Sequence, residues 1–288
     1  MLKILGRVLL ALAVALSLAA AVVHFRYEAH RRERIAFDPP EISLPTDAAS
    51  LAEGRRLVQV KGCYDCHGAD LSGRVFADAG PVGFFAGANI TPAGATKDYG
   101  VRDWVRAVRY GLNPEGRKLI FMPSTEFAQL TNEDLGKIIA HLRTAAPVQN
   151  QPAALSVGPL GKVLYLAGKF PLMFQAELID RTAVPLESLA PSTEPVYGKY
   201  MIASCTGCHG ADLRGGPIPG VPPEWPPASD LTPTGRVQTW TLQQFATAVK
   251  TGTKPDGQQI NPAYMPWTSF AAMTDVEIEA MYRYIRSQ

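Results

Sequence analysis

The sequence predicts an all-α protein: two tandem, homologous domains, each a few helices and long loops, behind an N-terminal hydrophobic helix. Three observations predict it. The second half of the chain repeats the first. Apolar residues recur at helical 3–4 spacing, and no convincing strand alternation appears. The first 34 residues contain a long uncharged run. The 288 residues are 47% hydrophobic and 19% charged, ordinary for a chain that buries a core. The 24 prolines and 25 glycines point to extended loops.

The N-terminal segment, 1–34, comes first. Lys3 and Arg7 precede Val8 to Val23, which carry no charge. Ile4 to Val23 approaches the ~20 residues that span a bilayer, which favours a membrane anchor. The alternative is a cleaved signal peptide, for which Ala19-Ala20-Ala21 offers a small-residue cleavage site. Arg26, Arg31, Arg32 and Arg34 follow the run, and such a cluster favours the cytoplasmic side. The chemistry of the two cysteine motifs requires the opposite side. His24 and His30, in the same basic flank, are expected to be solvated.

The repeat spans 51–145 and 195–288. Cys-His-Gly-Ala-Asp-Leu-x-Gly occurs at 66–73 and again at 208–215. Asn89-Ile-Thr-Pro matches Asp230-Leu-Thr-Pro. Gly111, Pro114 and Gly116 match Gly252, Pro255 and Gly257. Phe121-Met122-Pro123 matches Tyr264-Met265-Pro266, and Thr131 to Arg143 matches Thr274 to Arg286. Opening helices are expected at Ala52 to Lys61 and Tyr197 to Ala203. Gly54 and Gly198 within them suggest close approach of another helix, because glycine otherwise weakens a helix. Middle helices are expected at Asp103 to Tyr110 and Leu242 to Thr251. Final helices are expected to start from Thr131 and Thr274, good N-caps followed by acidic residues. Between the repeats, 146–194 is a Pro-rich linker with an apolar stretch at Leu160 to Phe174, expected to pack between the domains. A membrane or partner surface is the other reading of that stretch.

Charge excludes one class of partner. Six of the 28 basic and two of the 26 acidic residues lie in the first 34 positions, leaving the remainder at −2. No basic footprint for a phosphate backbone exists there, so nucleic acid is not a partner.

All four cysteines fall in Cys63-Tyr64-Asp65-Cys66-His67 and Cys205-Thr206-Gly207-Cys208-His209. C-x-x-C-H is the pattern of c-type haem attachment: two thiols add to the porphyrin vinyl groups and the adjacent imidazole ligates iron. Zinc would draw the C-x-x-C pairs together, and a redox dithiol has no need of the trailing histidine. Cofactor-binding residues are therefore Cys63, Cys66, His67, Cys205, Cys208 and His209, for two covalently bound haem c. A sixth iron ligand is expected from Met122 and Met265, which occupy equivalent positions 55 and 56 residues after their histidines. His/Met is an electron-transfer ligand pair. The iron ligands are thus read as His67 and Met122, and His209 and Met265. Met273 and Met281 read as core residues. His141 aligns with Tyr284 and reads as a helix residue. Trp225, Pro226 and Pro227 have no counterpart in the first repeat and are expected to cover part of the second haem.

On these residues the two stretches resemble the class I cytochrome c family. The whole pattern is similar to membrane-bound di-haem cytochromes that accompany bacterial dehydrogenases and respiratory oxidases. The resemblance implies two class I cytochrome c domains, with the first and last helix of each crossing. The implied function is one-electron transfer between redox donor and acceptor proteins, the donor being a dehydrogenase or quinol-linked. It implies a bacterial inner-membrane location with the haem domains in the periplasm, or a soluble periplasmic protein if the segment is cleaved. The alternatives are a di-haem peroxidase-type enzyme, which needs an open iron position, and a relay subunit of a larger dehydrogenase or oxidase.

Overall fold

A computed structural model describes residues 1–222 and 224–288. In chain order the helices and strands of its first half are α1 (Leu2–Arg32), α2 (Ala48–Val60), α3 (Cys63–His67), β1 (Val75–Asp78), β2 (Gly83–Ala86), α4 (Val101–Tyr110), α5 (Ser124–Phe127) and α6 (Asn132–Thr144). The connector contains β3 (Ser156–Val157) and α7 (Pro159–Leu166). The second half has α8 (Pro195–Ile202), α9 (Thr206–His209), α10 (Leu242–Thr251), α11 (Trp267–Phe270) and α12 (Asp275–Arg286).

The same construction occurs twice. α2 packs across α6, and α8 packs across α12. Each crossing is held close by a glycine. A Cβ on Gly54 would strike the carbonyl of Lys137, and one on Gly198 would strike that of Ala280. Thr131 and Thr274 cap the final helices, accepting from the amides of Asp134 and Glu277 at 3.1 and 3.2 Å. The Glu277 carboxylate accepts in return from the amide of Thr274 at 2.7 Å, closing a capping box. Leu57, Ile138 and Ile139 of the first repeat and Tyr197, Ile278 and Met281 of the second belong to one continuous buried core.

Two expectations are corrected. A small antiparallel sheet exists, in the order β1-β2-β3. It forms where the first repeat carries an apolar hairpin after its attachment motif, with Val75 opposite Ala86 and Asp78 opposite Phe84. The third strand comes from the connector, with Gly83 opposite Val157. In the second repeat the corresponding stretch makes only the isolated bridge Gly216–Ala228 among the described residues.

The apolar stretch of the connector reaches both repeats, since Phe170 packs on Phe121 of the first and lies against Gly220 of the second, and it also takes in α1. Phe170, Met173 and Phe174 are buried with Tyr27 of α1, and the Tyr27 hydroxyl points at the Met173 sulfur at 3.8 Å. The apolar stretch therefore clamps the end of α1 to the first repeat.

His30 is not simply solvated. Its Nε2 lies 2.7 Å from Glu177 and its Nδ1 3.3 Å from Glu33. Both carboxylates also reach the buried Lys118 Nζ, Glu177 at 2.6 Å and Glu33 at 3.2 Å. The ammonium occupies the position that a cation shared by these groups would take. Arg31 is likewise neutralised by Glu28 at 2.7 Å. The basic flank is thus partly an ion-paired surface rather than a free positive cluster. Before that flank, α1 is long and apolar enough to cross a bilayer, and its apolar side chains are exposed.

Candidate functional site

The first C-x-x-C-H motif is the short helix α3, and in the second Cys205 ends a 3-10 turn, Ala203–Cys205, that runs directly into α9. One turn places both thiols and the imidazole along a single edge, all half-buried. The four cysteines are unpaired. Burial pushes the Cys63 and Cys205 thiols up to about 12 and Cys66 up to about 11, so they stay protonated at neutral pH.

The imidazoles are oriented identically. His67 Nδ1 lies 2.7 Å from the carbonyl of Ala88, and His209 Nδ1 lies 2.8 Å from that of Ser229. A carbonyl only accepts, so Nδ1 carries the proton and Nε2 keeps its lone pair. Burial holds both rings below the ordinary histidine range, which favours this neutral form. The supporting loops repeat bond for bond. Gly73 N donates to His67 O at 2.7 Å, and Gly215 N to His209 O at 2.8 Å. Leu71 and Leu213 both adopt left-handed backbone, with φ of 62° and 59°. Each donates back to the glycine after the histidine, Gly68 or Gly210, at 3.0 and 3.1 Å. For a branched side chain that conformation is strained, and its recurrence at equivalent positions marks a loop shape that both repeats impose.

Met122 and Met265 lie on matching loops. Pro123 has φ −77° and ψ 52°, Pro266 φ −78° and ψ 57°. The amide after each proline donates to the methionine carbonyl, at 2.7 Å in Ser124 and 2.8 Å in Trp267. These are inverse γ-turns, and proline pre-sets the φ they need. Both methionines are half-buried and pack against the core that also receives Cys63 and Cys205. Met273 and Met281 are 2% and 1% exposed, as core residues should be. His141 sits on α6 against Gly54. The Trp225 ring lies 4.9 Å from that of Tyr264, the neighbour of Met265, with the planes tilted by 60°.

The donor set suits haem c. Two unpaired thiols with no charge, an imidazole with its Nε2 free and a loop-held thioether are what a covalently attached, six-coordinate haem requires.

The sequence reading missed how the two sites meet. Lys61 Nζ donates to Ser204 Oγ at 3.0 Å, joining the residues just before Cys63 and Cys205. The Ser269 hydroxyl donates to the Asp65 carboxylate at 2.9 Å. Across the interface, the Glu126 carboxylate packs on Gly207. Asp65 and Gly207 hold the same place in the two motifs, and Glu126 and Ser269 each lie four residues after Met122 or Met265. Each attachment turn therefore rests on the methionine loop of the other repeat. Arg56 of α2 adds a bidentate pair with the buried Glu277 at 2.7 and 2.8 Å. Tyr200 donates to Asp134 at 2.5 Å. The repeat alignment held the only advance signal, since it equates both members of each contact.

Residues 196–288 match the family model described as Cytochrome c, and that stretch is a cytochrome c domain. The chain is similar to the fructose dehydrogenase cytochrome subunit of Gluconobacter japonicus, 30% identical over 141 residues. That alignment covers 46% of this chain and 28% of the relative. It is also similar to a nicotinate dehydrogenase subunit of Pseudomonas putida, 30% identical over 127 residues, covering 37% of this chain and 10% of the relative. The chain thus spans less than a third of the length of these curated relatives.

Proposed function

We propose that the chain is a di-haem c-type electron carrier, with one cytochrome c domain in each repeat. Cys63 and Cys66 would attach one haem and Cys205 and Cys208 the other. His67 with Met122, and His209 with Met265, would be the axial pairs. Bound there, haem iron supplies a reversible one-electron couple. The chain's own residues do the rest. Ala88 and Ser229 carbonyls fix the imidazoles, the γ-turns aim the thioethers, and the half-buried walls limit water.

The observation that carries this reading is the reciprocal contact between attachment turns. Lys61 and Ser204 touch within two residues of Cys63 and Cys205. Haems held by the cysteines of those two turns would be neighbours, which suits sequential one-electron transfer between a donor and an acceptor. Both repeats keep the same histidine and methionine loops, which favours a carrier over a peroxidase-type enzyme with an open iron position.

We place the haem domains in the periplasm, held to the inner membrane by α1. The two relatives, whose names mark them as subunits of dehydrogenases, favour a redox partner that is a dehydrogenase. The test is haem stoichiometry and a redox titration on purified protein. Two haems per chain, resistant to acid–acetone extraction, with low-spin spectra, are expected. Extractable pigment, or one haem per chain, would sink the proposal.

A further inference from the structure

The structure leaves a row of apolar side chains uncovered on α7. Leu160, Val163 and Leu166 are 43%, 44% and 39% exposed, one to each turn of a single face. The opposite face is packed: Gly161 sits against the Val82 carbonyl, and Leu164 and Tyr165 lie against the cluster around Tyr27 and Phe174.

The height of α7 along α1 is set by specific bonds. Lys162 Nζ lies 3.0 Å from His24 Nδ1 and 3.1 Å from Glu28. His24 directly follows Val23, the last residue of the uncharged run, and one residue of helix is about 1.5 Å. Phe25, at 71% exposure, continues the apolar band at the same level. Arg26 and Lys169 flank it, exposed and without ion pairs among the described residues.

We propose that α7 is a second membrane-contact element, resting its Leu160–Val163–Leu166 face on the lipid surface beside α1. The proposal builds on the reading of α1 as a membrane anchor. If α1 spans the bilayer to Val23, α7 is level with the headgroups. An apolar face flanked by free cations is what an interfacial helix presents there. The shelf also orients the molecule. The cluster above it is stitched to the first site, because Phe121, the neighbour of Met122, donates its amide to Met173 O at 2.9 Å. Phe121 also packs edge-on against Phe170, 5.9 Å between ring centroids. The first site is thereby held near the membrane.

The test uses the full chain in its native membrane, with the photo-crosslinker p-benzoylphenylalanine replacing Leu12, Val163 or Val196 in turn. Adducts are identified by mass spectrometry. Lipid adducts at Leu12 and Val163, with at least a tenfold lower yield at Val196, are expected. Lipid at Leu12 but protein or no adduct at Val163 overturns the shelf and leaves the anchor standing. No lipid at Leu12 overturns the anchor and the shelf with it. Equal lipid yields at Val163 and Val196 overturn the shelf, because no face is then preferred.

Discussion

Lys61 and Ser204 are joined by a 3.0 Å hydrogen bond, and this one bond ties the turn that carries Cys63 to the turn that carries Cys205. Lys61 is 9% exposed, and desolvation holds its ammonium below the ordinary lysine range. The nearby carboxylates of Asp134 and Glu277 oppose that shift.

The pair Arg56–Glu277 is the strongest ionic link across the same interface. Glu277's side chain is 2% exposed, against 22% for Arg56. Arg56→Ala strips the buried carboxylate of its cation, and breaking such a pair costs about 3 kcal/mol. Chemical denaturation should show that loss. Arg56→Ala combined with Glu277→Gln should recover part of it, because the charge left behind is gone.

Glu126 makes stability depend on pH. Burial raises its carboxyl to about 7 from an ordinary 4.5. The folded state then holds a proton that the unfolded state has released, so stability falls as pH rises from 4.5 to 7. Below that window the contribution is fully present. Glu126→Gln should flatten this slope, measured as melting temperature against pH. An unchanged slope would assign it to another group.

Gly54 and Gly198 should tolerate no side chain. Gly54→Ala drives a methyl into the Lys137 carbonyl, and Gly198→Ala into that of Ala280. Neither neighbour is a movable side-chain tip. Each change should cost about 1–3 kcal/mol in thermal or chemical denaturation, as overpacking does. Gly6→Ala, where nothing lies within 4 Å, should carry no such cost.

The proposed axial methionines give separable spectra. Met122→Ala should remove half of the far-red thioether–iron charge-transfer absorption and shift one titration step to lower potential, since methionine ligation raises potential. Met265→Ala should remove the other half. Met273→Ala should leave the absorption whole and lower stability by about 2–5 kcal/mol, as a truncated core residue does.

The helices were legible because their signals are local. α10 runs from Leu242 to Thr251 as its periodicity and its Thr241 cap dictate. α2 begins earlier than its apolar pattern, at Ala48, because Asp47 caps it through Ser50 at 2.9 Å. The sheet was not legible. Its strands are two to four residues long, and Val157 finds Gly83 far along the chain. Of the candidate site, the cysteines, histidines and methionines stood in the sequence as motifs and matched positions. The contacts that press the two sites together did not. Glu126, Ser269 and Lys61 look like ordinary polar residues until the repeats are folded onto each other.

Reciprocal seating of the attachment turns has a consequence for how such a chain matures. Asp65 needs Ser269 from the far end of the polypeptide, and Gly207 needs Glu126 from the near half. Neither half, made alone, would find its own cradle complete. Severing the chain within the connector should yield two fragments that reassociate rather than two working modules.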